Sequence, residues 1–316
     1  LVSLYNKRNS NMKEILNIRK RFSRKDKKKF LKIIETELTE LGYEVEKKKF
    51  WRLLTSVNLE TKNDNPEYIF VAHYDTGTIM PFWMNWLMKL IGINRQLLMI
   101  FILIGFIKIL ILFVEGYKPI IVTVLSGFIF IPLLLILVPN WKNYDDNTSG
   151  VISLLKLSKK FKENGLENSK FIFVDNEELG LFGSAAHKRY LEKNNLISKD
   201  CKVISIDCVG GSGEIPLIIK NSNSDYSKLF QDAIKNEFNE CKIVRMILPA
   251  SDNFSFKKYG AINISFVDKT IIPNGYYIKD IHSYKDGKID LEKIDKLCNV
   301  ITEIIINTKA NNVYKK

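Results

Sequence analysis

Two long apolar runs constrain the architecture of this chain more than any other feature. Residues 97–114 carry a single charge, Lys108, over 18 residues, and residues 120–138 carry none over 19 residues. A helix of about 20 apolar residues spans the hydrocarbon core of a bilayer. A soluble helical hairpin would need a polar face, and neither run has one. We therefore predict a two-helix transmembrane hairpin rather than a pair of buried core helices.

The residues around these runs indicate how the hairpin is oriented. Trp83, Trp86 and Trp141 flank the runs, as tryptophans do at membrane interfaces. Residues 79–140 are therefore predicted to be an insertion that contacts the lipid bilayer. The link between the runs has Lys118 as its only positive charge, whereas the basic N-terminal arm, Lys89, Arg95 and Lys142 all lie on the side of the main domain. The positive-inside tendency predicts a multi-pass membrane protein with its main domain in the cytoplasm.

The net charge of +13 is unevenly distributed along the chain. Residues 1–30 contain eleven lysines and arginines against Glu14 and Asp26, which places +9 of the total there. The rest of the chain is close to neutral, a poor fit to a nucleic-acid-binding protein. We predict a basic, solvated N-terminal arm over residues 1–24. The four cysteines lack metal-finger spacing, which is typical of free thiols in a reducing compartment.

Outside the insertion, helix and strand patterns alternate over residues 25–78 and 141–316. Apolar residues at helical spacing predict a first helix from about Lys25 to Leu41, and Tyr68–Ala72 is typical of a buried strand. Further strands are predicted at Phe171–Val174, Val203–Ile206, Ile215–Ile219, Ile243–Ile247 and Ala261–Phe266, and further helices at Val151–Phe161, Leu179–Lys193, Asp225–Phe238 and Leu291–Ile306. This order predicts one α/β domain with a mostly parallel mixed sheet and flanking helices.

Imidazole and carboxylate side chains follow three of the predicted strands. His73 and Asp75 follow the first buried strand, Glu177 and Glu178 follow the next, and Asp207 follows a third. In parallel sheets, reactive groups gather beyond the carboxyl ends of the strands. These side chains are therefore expected to lie close together.

Two further groups belong to the same candidate site. Asp145 and Asp146 are adjacent carboxylates just before a helix, too much negative charge for an ordinary turn unless a cation binds there. His282 lies in the loop before the last helix. Together these imidazoles and carboxylates suit zinc, or cobalt or manganese. His187, beside charged residues on a predicted helix, is expected to be exposed.

Six short motifs, taken in order, resemble the zinc peptidases of family M28, a group of di-zinc aminopeptidases and their relatives. They are His73–Asp75, Asp145–Gly150, Glu177–Ser184, Ile206–Asp207, Ser251–Phe254 and His282–Asp286. The resemblance covers about residues 30–308 apart from the insertion. It implies a zinc-aminopeptidase-like fold for residues 25–78 and 141–316.

The resemblance also implies a cage for two zinc ions, with cobalt or manganese as substitutes. Its five ligands are His73, Asp145, Glu178, Asp207 and His282. In this scheme Asp145 bridges both ions, and the peptide bond after the bridging aspartate is cis. Asp75 orients His73, and Glu177 is the general base that takes a proton from a metal-bridging water.

The implied function is that of a membrane-anchored exopeptidase, most directly an aminopeptidase acting on peptides. Glutaminyl cyclisation, an acyl transfer that uses one zinc on a similar site, is the alternative enzyme, and carboxypeptidase action stays open. A non-catalytic membrane receptor or scaffold on the same fold is the third hypothesis. Because the insertion lies between His73 and Asp145, it either directs peptides from the membrane to the site or only tethers the domain.

Overall fold

The computed structural model describes residues 13–18, 20–51, 54–95, 105 and 138–313. Over these ranges, no helix combines the length and the apolar character that crossing a bilayer requires. The predicted spans at 97–114 and 120–138 lie outside the described residues, apart from Gly105 and Val138. The transmembrane hairpin therefore stays a prediction from sequence.

The described strands form one nine-stranded sheet in the order β1-β2-β4-β3-β5-β8-β6-β7, with β9 paired to β8. The strands are β1 (Val45–Trp51), β2 (Thr55–Thr61), β3 (Tyr68–His73), β4 (Ser169–Val174), β5 (Lys202–Ile206), β6 (Ile215–Lys220), β7 (Lys242–Arg245), β8 (Ile262–Lys269) and β9 (Tyr276–Tyr277). The central strands β4, β3, β5 and β8 are parallel, whereas β1, β2, β6 and β9 pair antiparallel to their inner neighbours. The predicted mixed sheet is confirmed. Its parallel pairs are those among the four central strands and the pair of β6 with β7.

Helices cover both faces of this sheet. The long helices of the described chain are α1 (Arg24–Glu40), α2 (Phe82–Ile91), α3 (Gly150–Glu163), α4 (Phe182–Lys193), α5 (Ser227–Phe238) and α6 (Leu291–Val313). Apolar residues of α1, α3, α5 and α6 share one core with Phe70 of β3, while Leu191 of α4 packs with Val71 on the opposite face. Strand β3 is thus buried on both sides, because successive side chains of a strand point to opposite faces.

Helix α1 follows the predicted pattern closely. The hydroxyl of Ser23 accepts a hydrogen bond from the backbone N–H of Asp26, which caps the first turn. Phe30, Ile34 and Leu38 are fully buried on one face of the helix. By contrast, α4 begins at Phe182 rather than at the predicted Leu179, because the preceding residues form the turn that carries Glu177 and Glu178.

The N-terminal arm departs from the prediction of a solvated segment. Residues 13–17 are helical, and Ile15 is buried in the main core beside α1. Arg21 is fully buried as well, although it carries a charge. At these two positions the expectation of solvent exposure was wrong.

The two ends of the predicted insertion lie side by side. Thr78 and Pro139 form an antiparallel bridge. The backbone N–H of Ile79 donates to the carbonyl of Val138 over 2.9 Å. The two ends of the predicted insertion are therefore neighbours, as a hairpin insertion requires. Its first residues stay on the domain, since the backbone N–H groups of Ile271 and Ile272 donate to the carbonyls of Lys89 and Leu90 over 3.1 Å.

Candidate metal centre

The sheet brings the first group of predicted residues together. Strands β3, β4 and β5 are neighbours and parallel, so His73, the glutamates after β4 and Asp207 after β5 lie at the same edge. The Nε2 atom of His73 lies 3.5 Å from Oδ1 of Asp207. The loop before α6 adds His282, whose Nε2 atom lies 3.4 Å from Oε2 of Glu178.

Asp146 lies between these two pairs. Its Oδ1 atom is 3.3 Å from Nε2 of His73, and its Oδ2 atom is 3.3 Å from Nε2 of His282. One carboxylate thus presents a different oxygen to each histidine. That is the arrangement expected of a bridging ligand.

The structure corrects the predicted position of Asp145. Its Oδ1 atom accepts hydrogen bonds from the backbone N–H groups of Gly210, over 2.8 Å, and Gly211, over 2.6 Å. Asp146 has an extended backbone, with φ −110° and ψ 95°, and its side chain points into the cluster instead. The peptide bond between Asp146 and Asn147 is cis. The structure therefore places Asp146, and not the predicted Asp145, between the two histidines.

The grouped side chains fit a metal centre by their chemistry. One set comprises His73, Asp146 and Asp207, and a second comprises Asp146, Glu178 and His282, with the candidate ligand atoms of each set within 4.8 Å of one another. Asp146 belongs to both sets. These are nitrogen and oxygen donors of the kind that zinc binds.

Buried polar atoms without hydrogen-bond partners also indicate a metal centre. Among the described residues, neither ring nitrogen of His73 has a hydrogen-bond partner, and neither has Oε1 of Glu178, although all three atoms are buried. Buried polar atoms of native proteins are normally paired. Burial and the nearby charge of Asp146 also raise the pKa of Glu178 well above its usual value. A bound cation would satisfy these atoms and offset the clustered negative charge.

Asp75 holds the histidine and the glutamate turn in place. Its Oδ1 atom lies 3.6 Å from Nδ1 of His73, and its two oxygens accept the backbone N–H groups of Glu177 and Glu178 over 3.1 and 3.3 Å. Burial opposes ionisation of Asp75, but His73 and the backbone donor at Glu177 lower its pKa below the usual value. Asp75 thus lies where the resemblance placed it, behind His73.

The base of the insertion orients the second histidine. The Nδ1 atom of His282 lies 3.1 Å from the carbonyl oxygen of Thr78, and its carbonyl accepts the backbone N–H of Met80 over 2.8 Å. With Nδ1 donating to Thr78, Nε2 is left free to face the carboxylates. The first residues of the insertion therefore belong to the wall of the site.

Glu177 lies at the same centre but outside the two sets that share Asp146. Its carboxylate comes within 4.8 Å of donor atoms of His73 and Glu178. Burial raises the pKa of Glu177 well above its usual value, and the charges of Glu178 and Asp252 raise it further. A carboxylate in this environment is suited to accept and release a proton.

Two aspartates of the matching motifs have positions that the sequence did not assign. Asp252 is fully buried, and within the described part of the chain neither of its oxygens has a hydrogen-bond partner. Burial raises the pKa of Asp252 to about 7. Asp286 accepts the backbone N–H groups of Asp145 and Asp146 over 2.8 and 3.2 Å, and burial, followed by the charge of Asp145, raises its pKa to about 8. Asp286 therefore holds the turn that presents the Asp146 carboxylate to the two histidines.

Arg21 reaches the back of the site from the N-terminal arm. Its Nε donates to the carbonyl of Tyr74, and its Nη1 donates to Oγ1 of Thr148 over 2.9 Å and to the carbonyl of Ile18 over 3.2 Å. Burial lowers the pKa of Arg21 to about 10, although Asp75 and other carboxylates oppose the change. Arg21 thus ties the end of β3 to the turn that carries Asp146.

His187, the third histidine, lies outside this centre and is buried rather than exposed as predicted. Its Nε2 atom is 2.9 Å from a carboxylate oxygen of Glu60, and its Nδ1 atom is 3.1 Å from the amide nitrogen of Asn58. The contacts fit a neutral ring that donates to Glu60 and accepts from Asn58. Lys170 pairs with the same carboxylate over 3.1 Å.

Comparisons with known proteins agree with this fold. The Bacteroides thetaiotaomicron glutaminyl cyclase bound to N-acetylhistamine has 15% sequence identity and a TM-score of 0.62, and the match covers 94% of this chain and 95% of that one. A leucine aminopeptidase precursor from the same species matches with 15% identity and a TM-score of 0.62, covering 94% of each chain. A Zn-dependent exopeptidase from Parabacteroides distasonis matches with 15% identity and a TM-score of 0.60, covering 94% of this chain and 95% of that one. Likeness at such low identity shows the fold alone.

The sequence comparisons are more specific. No curated protein matches the chain. The profile of Peptidase family M28 matches residues 142–305, more than half of the sequence. The matched part includes Asp146, both glutamates of the turn after β4, Asp207 and His282. The chain therefore belongs to peptidase family M28.

Proposed function

We propose that this chain is a metal-dependent aminopeptidase that hydrolyses the N-terminal residues of peptides. The observation that carries the proposal is the pair of donor sets that share Asp146. In this proposal His73 and Asp207 hold one zinc ion, and Glu178 and His282 hold the other. Cobalt or manganese would suit the same donors.

The residues around the donor sets supply the remaining chemistry. Two zinc ions, when bound, lower the pKa of a water molecule and polarise the scissile carbonyl. Glu177 accepts the proton of the attacking water and passes it to the leaving amine, since its carboxylate lies beside the donor atoms of His73 and Glu178. Asp75 holds His73 and the turn of Glu177 and Glu178 in position through the contacts described above.

Replacing Glu177 by glutamine tests this assignment. The variant should keep its zinc and lose roughly 100- to 10,000-fold in kcat on aminoacyl-anilides, because the proton acceptor is gone while the shape is kept. Glu167→Gln is the matched control, since Glu167 is exposed and lies outside the centre. A Glu177→Gln enzyme with full zinc and full rate would remove Glu177 from the mechanism.

Glutaminyl cyclisation is the second candidate, supported by structural neighbours named as glutaminyl cyclases that match as well as the peptidases do. Peptides with N-terminal glutamine separate the two activities. An aminopeptidase releases free glutamine, whereas a cyclase releases ammonia and leaves a pyroglutamyl peptide, and mass spectrometry distinguishes the products. Peptides blocked at the N-terminus test for carboxypeptidase action in the same panel.

Membrane anchoring of the catalytic domain on the cytoplasmic side is part of the proposal. It is supported by the two apolar runs and by the neighbouring positions of Thr78 and Pro139, where the insertion starts and ends. Extraction of cell membranes with alkaline carbonate should leave the chain in the pellet. Protease added outside intact cells should leave the domain uncut, and cleavage there would contradict the orientation.

A further inference from the structure

A cavity of about 620 Å3 opens beside the metal centre. Asp75, Gly77 and Glu178 line its inner end, and the β1–β2 hairpin and the first turns of α1 line the rest. Its volume falls within the range of about 300–1,000 Å3 typical of ligand sites. The cavity is therefore large enough for several residues of a bound peptide.

The wall of this cavity is strongly basic. Its cations are Arg24, Lys27, Lys28, Lys47 and Lys49, against the carboxylates Asp75, Asp175 and Glu178. Lys27 is paired with Asp175 over 2.5 Å, and Lys47 is paired with Glu35. Arg24, Lys28 and Lys49 have no carboxylate partner among the described residues. The start of α1 adds the positive end of a helix dipole to these charges.

The same wall exposes large apolar side chains. Phe22, Trp51, Leu54 and Leu179 line the cavity, and Trp51 is 73% exposed. Nζ of Lys49 lies 4.9 Å from the centre of the Trp51 ring. A positive charge and an apolar surface are therefore adjacent on this wall. The complementary ligand carries negative charge and apolar groups at once.

We propose that this cavity is an extended subsite that binds peptides with acidic side chains downstream of the scissile bond. The inference rests on the proposed aminopeptidase function. An aminopeptidase places one residue before the scissile bond, so a cavity for several residues suits the downstream part of the substrate. Carboxylates there would pair with Arg24, Lys28 and Lys49 while neighbouring apolar side chains contact Trp51.

An anionic lipid surface offers similar chemistry, but the structure favours the peptide. The inner end of the cavity is formed by Asp75 and Glu178, two residues of the metal centre, whereas a lipid surface needs an outward-facing patch. One cavity is lined both by the cations and by Glu178, which suits an extended chain that is cut at its end.

The test compares leucyl peptides that continue with glutamates or with lysines, using the full chain in detergent. In wild type we expect the acidic peptide to have the lower KM. The double variant Lys28→Gln with Lys49→Gln should lower the acidic-to-basic ratio of kcat/KM roughly 3- to 30-fold, because each exposed charge pair contributes modestly. High salt should shrink the wild-type preference in the same direction. The control double variant, Lys199→Gln with Lys235→Gln, removes two exposed charges elsewhere and should keep the wild-type ratio.

Binding separates a failed subsite from a failed function. If no peptide is hydrolysed, the proposed function fails, and calorimetric titration with the acidic peptide then decides the subsite alone. Weaker binding to the Lys28→Gln, Lys49→Gln variant supports the subsite, and unchanged binding overturns it. A wild-type enzyme without preference for the acidic peptide overturns it as well. So does charge-dependent binding of short-chain phosphatidylserine without binding of the acidic peptide, which would make the wall a lipid contact.

Discussion

Arg21→Met is expected to destabilise the protein strongly, although Arg21 belongs to a segment that looks solvated in the sequence. The substitution removes the guanidinium donors to the carbonyls of Tyr74 and Ile18 and to the hydroxyl of Thr148. It also removes the contact with Phe30, whose ring centre lies 4.5 Å from the guanidinium carbon. The end of β3 and the turn of Asp146 would lose their common anchor.

The magnitude follows from these contacts. Hydrogen bonds to a charged group contribute about 1.5–3 kcal/mol each, and stranded buried acceptors add to the loss. The gain from no longer burying a charge offsets part of it. We expect a net loss of about 2–4 kcal/mol in the free energy of unfolding. Arg21→Lys should lie in between, because a lysine keeps the charge but cannot donate in several directions as a planar fork does.

Urea unfolding of the metal-free protein in detergent measures this loss. Arg24→Met is the matched control. Arg24 lies only three residues after Arg21, at the start of helix α1, but its side chain is exposed. We expect the control to stay within about 0.5 kcal/mol of wild type. An Arg21→Met variant as stable as the control would refute the reasoning.

Two further predictions concern buried His187 and the wall of the metal centre at Gly77. Burial lowers the pKa of His187 below its ordinary value of 6.5. As the pH falls through 6.5, the histidine is therefore protonated in the unfolded chain before it is protonated in the folded protein. The free energy of unfolding is thus higher above this pH and decreases below it. When the pH is lowered from about 7.5 to 5.5, the free energy of unfolding measured with urea should therefore decrease less in His187→Gln than in wild type. An equal decrease in both proteins would contradict this. In Gly77→Ala the new Cβ would lie 2.5 Å from Cε1 of His282 and 2.6 Å from Oε1 of Glu178, so zinc content should fall while circular dichroism stays unchanged. Wild-type zinc content in Gly77→Ala would count against the geometry of the centre.

The elements and the grouping of the site followed from sequence because they depend on local patterns. Buried strands followed by His73, by the glutamate pair and by Asp207 predict one edge of a parallel sheet, and the structure has that edge. The choice between Asp145 and Asp146 had no such basis. It depends on distant backbone N–H groups at Gly210 and Gly211, which engage Asp145.

Two of the three burial errors, at Arg21 and His187, have the same origin. Arg21 lies in a basic segment and His187 beside charged residues, so both read as exposed. Each is buried because residues far away in sequence supply its partners: Tyr74 and Thr148 for Arg21, and Glu60 for His187. Local composition carries no signal for such long-range pairing.

Zinc content of the paired variants Asp145→Asn and Asp146→Asn tests the central claim most directly. Asparagine at position 145 still offers an oxygen to the N–H groups of Gly210 and Gly211, whereas asparagine at position 146 loses the charge that faces both histidines. Metal analysis should find two zinc ions per chain in wild type and in Asp145→Asn, and one or none in Asp146→Asn. Two zinc ions in Asp146→Asn together with loss of zinc from Asp145→Asn would contradict the account.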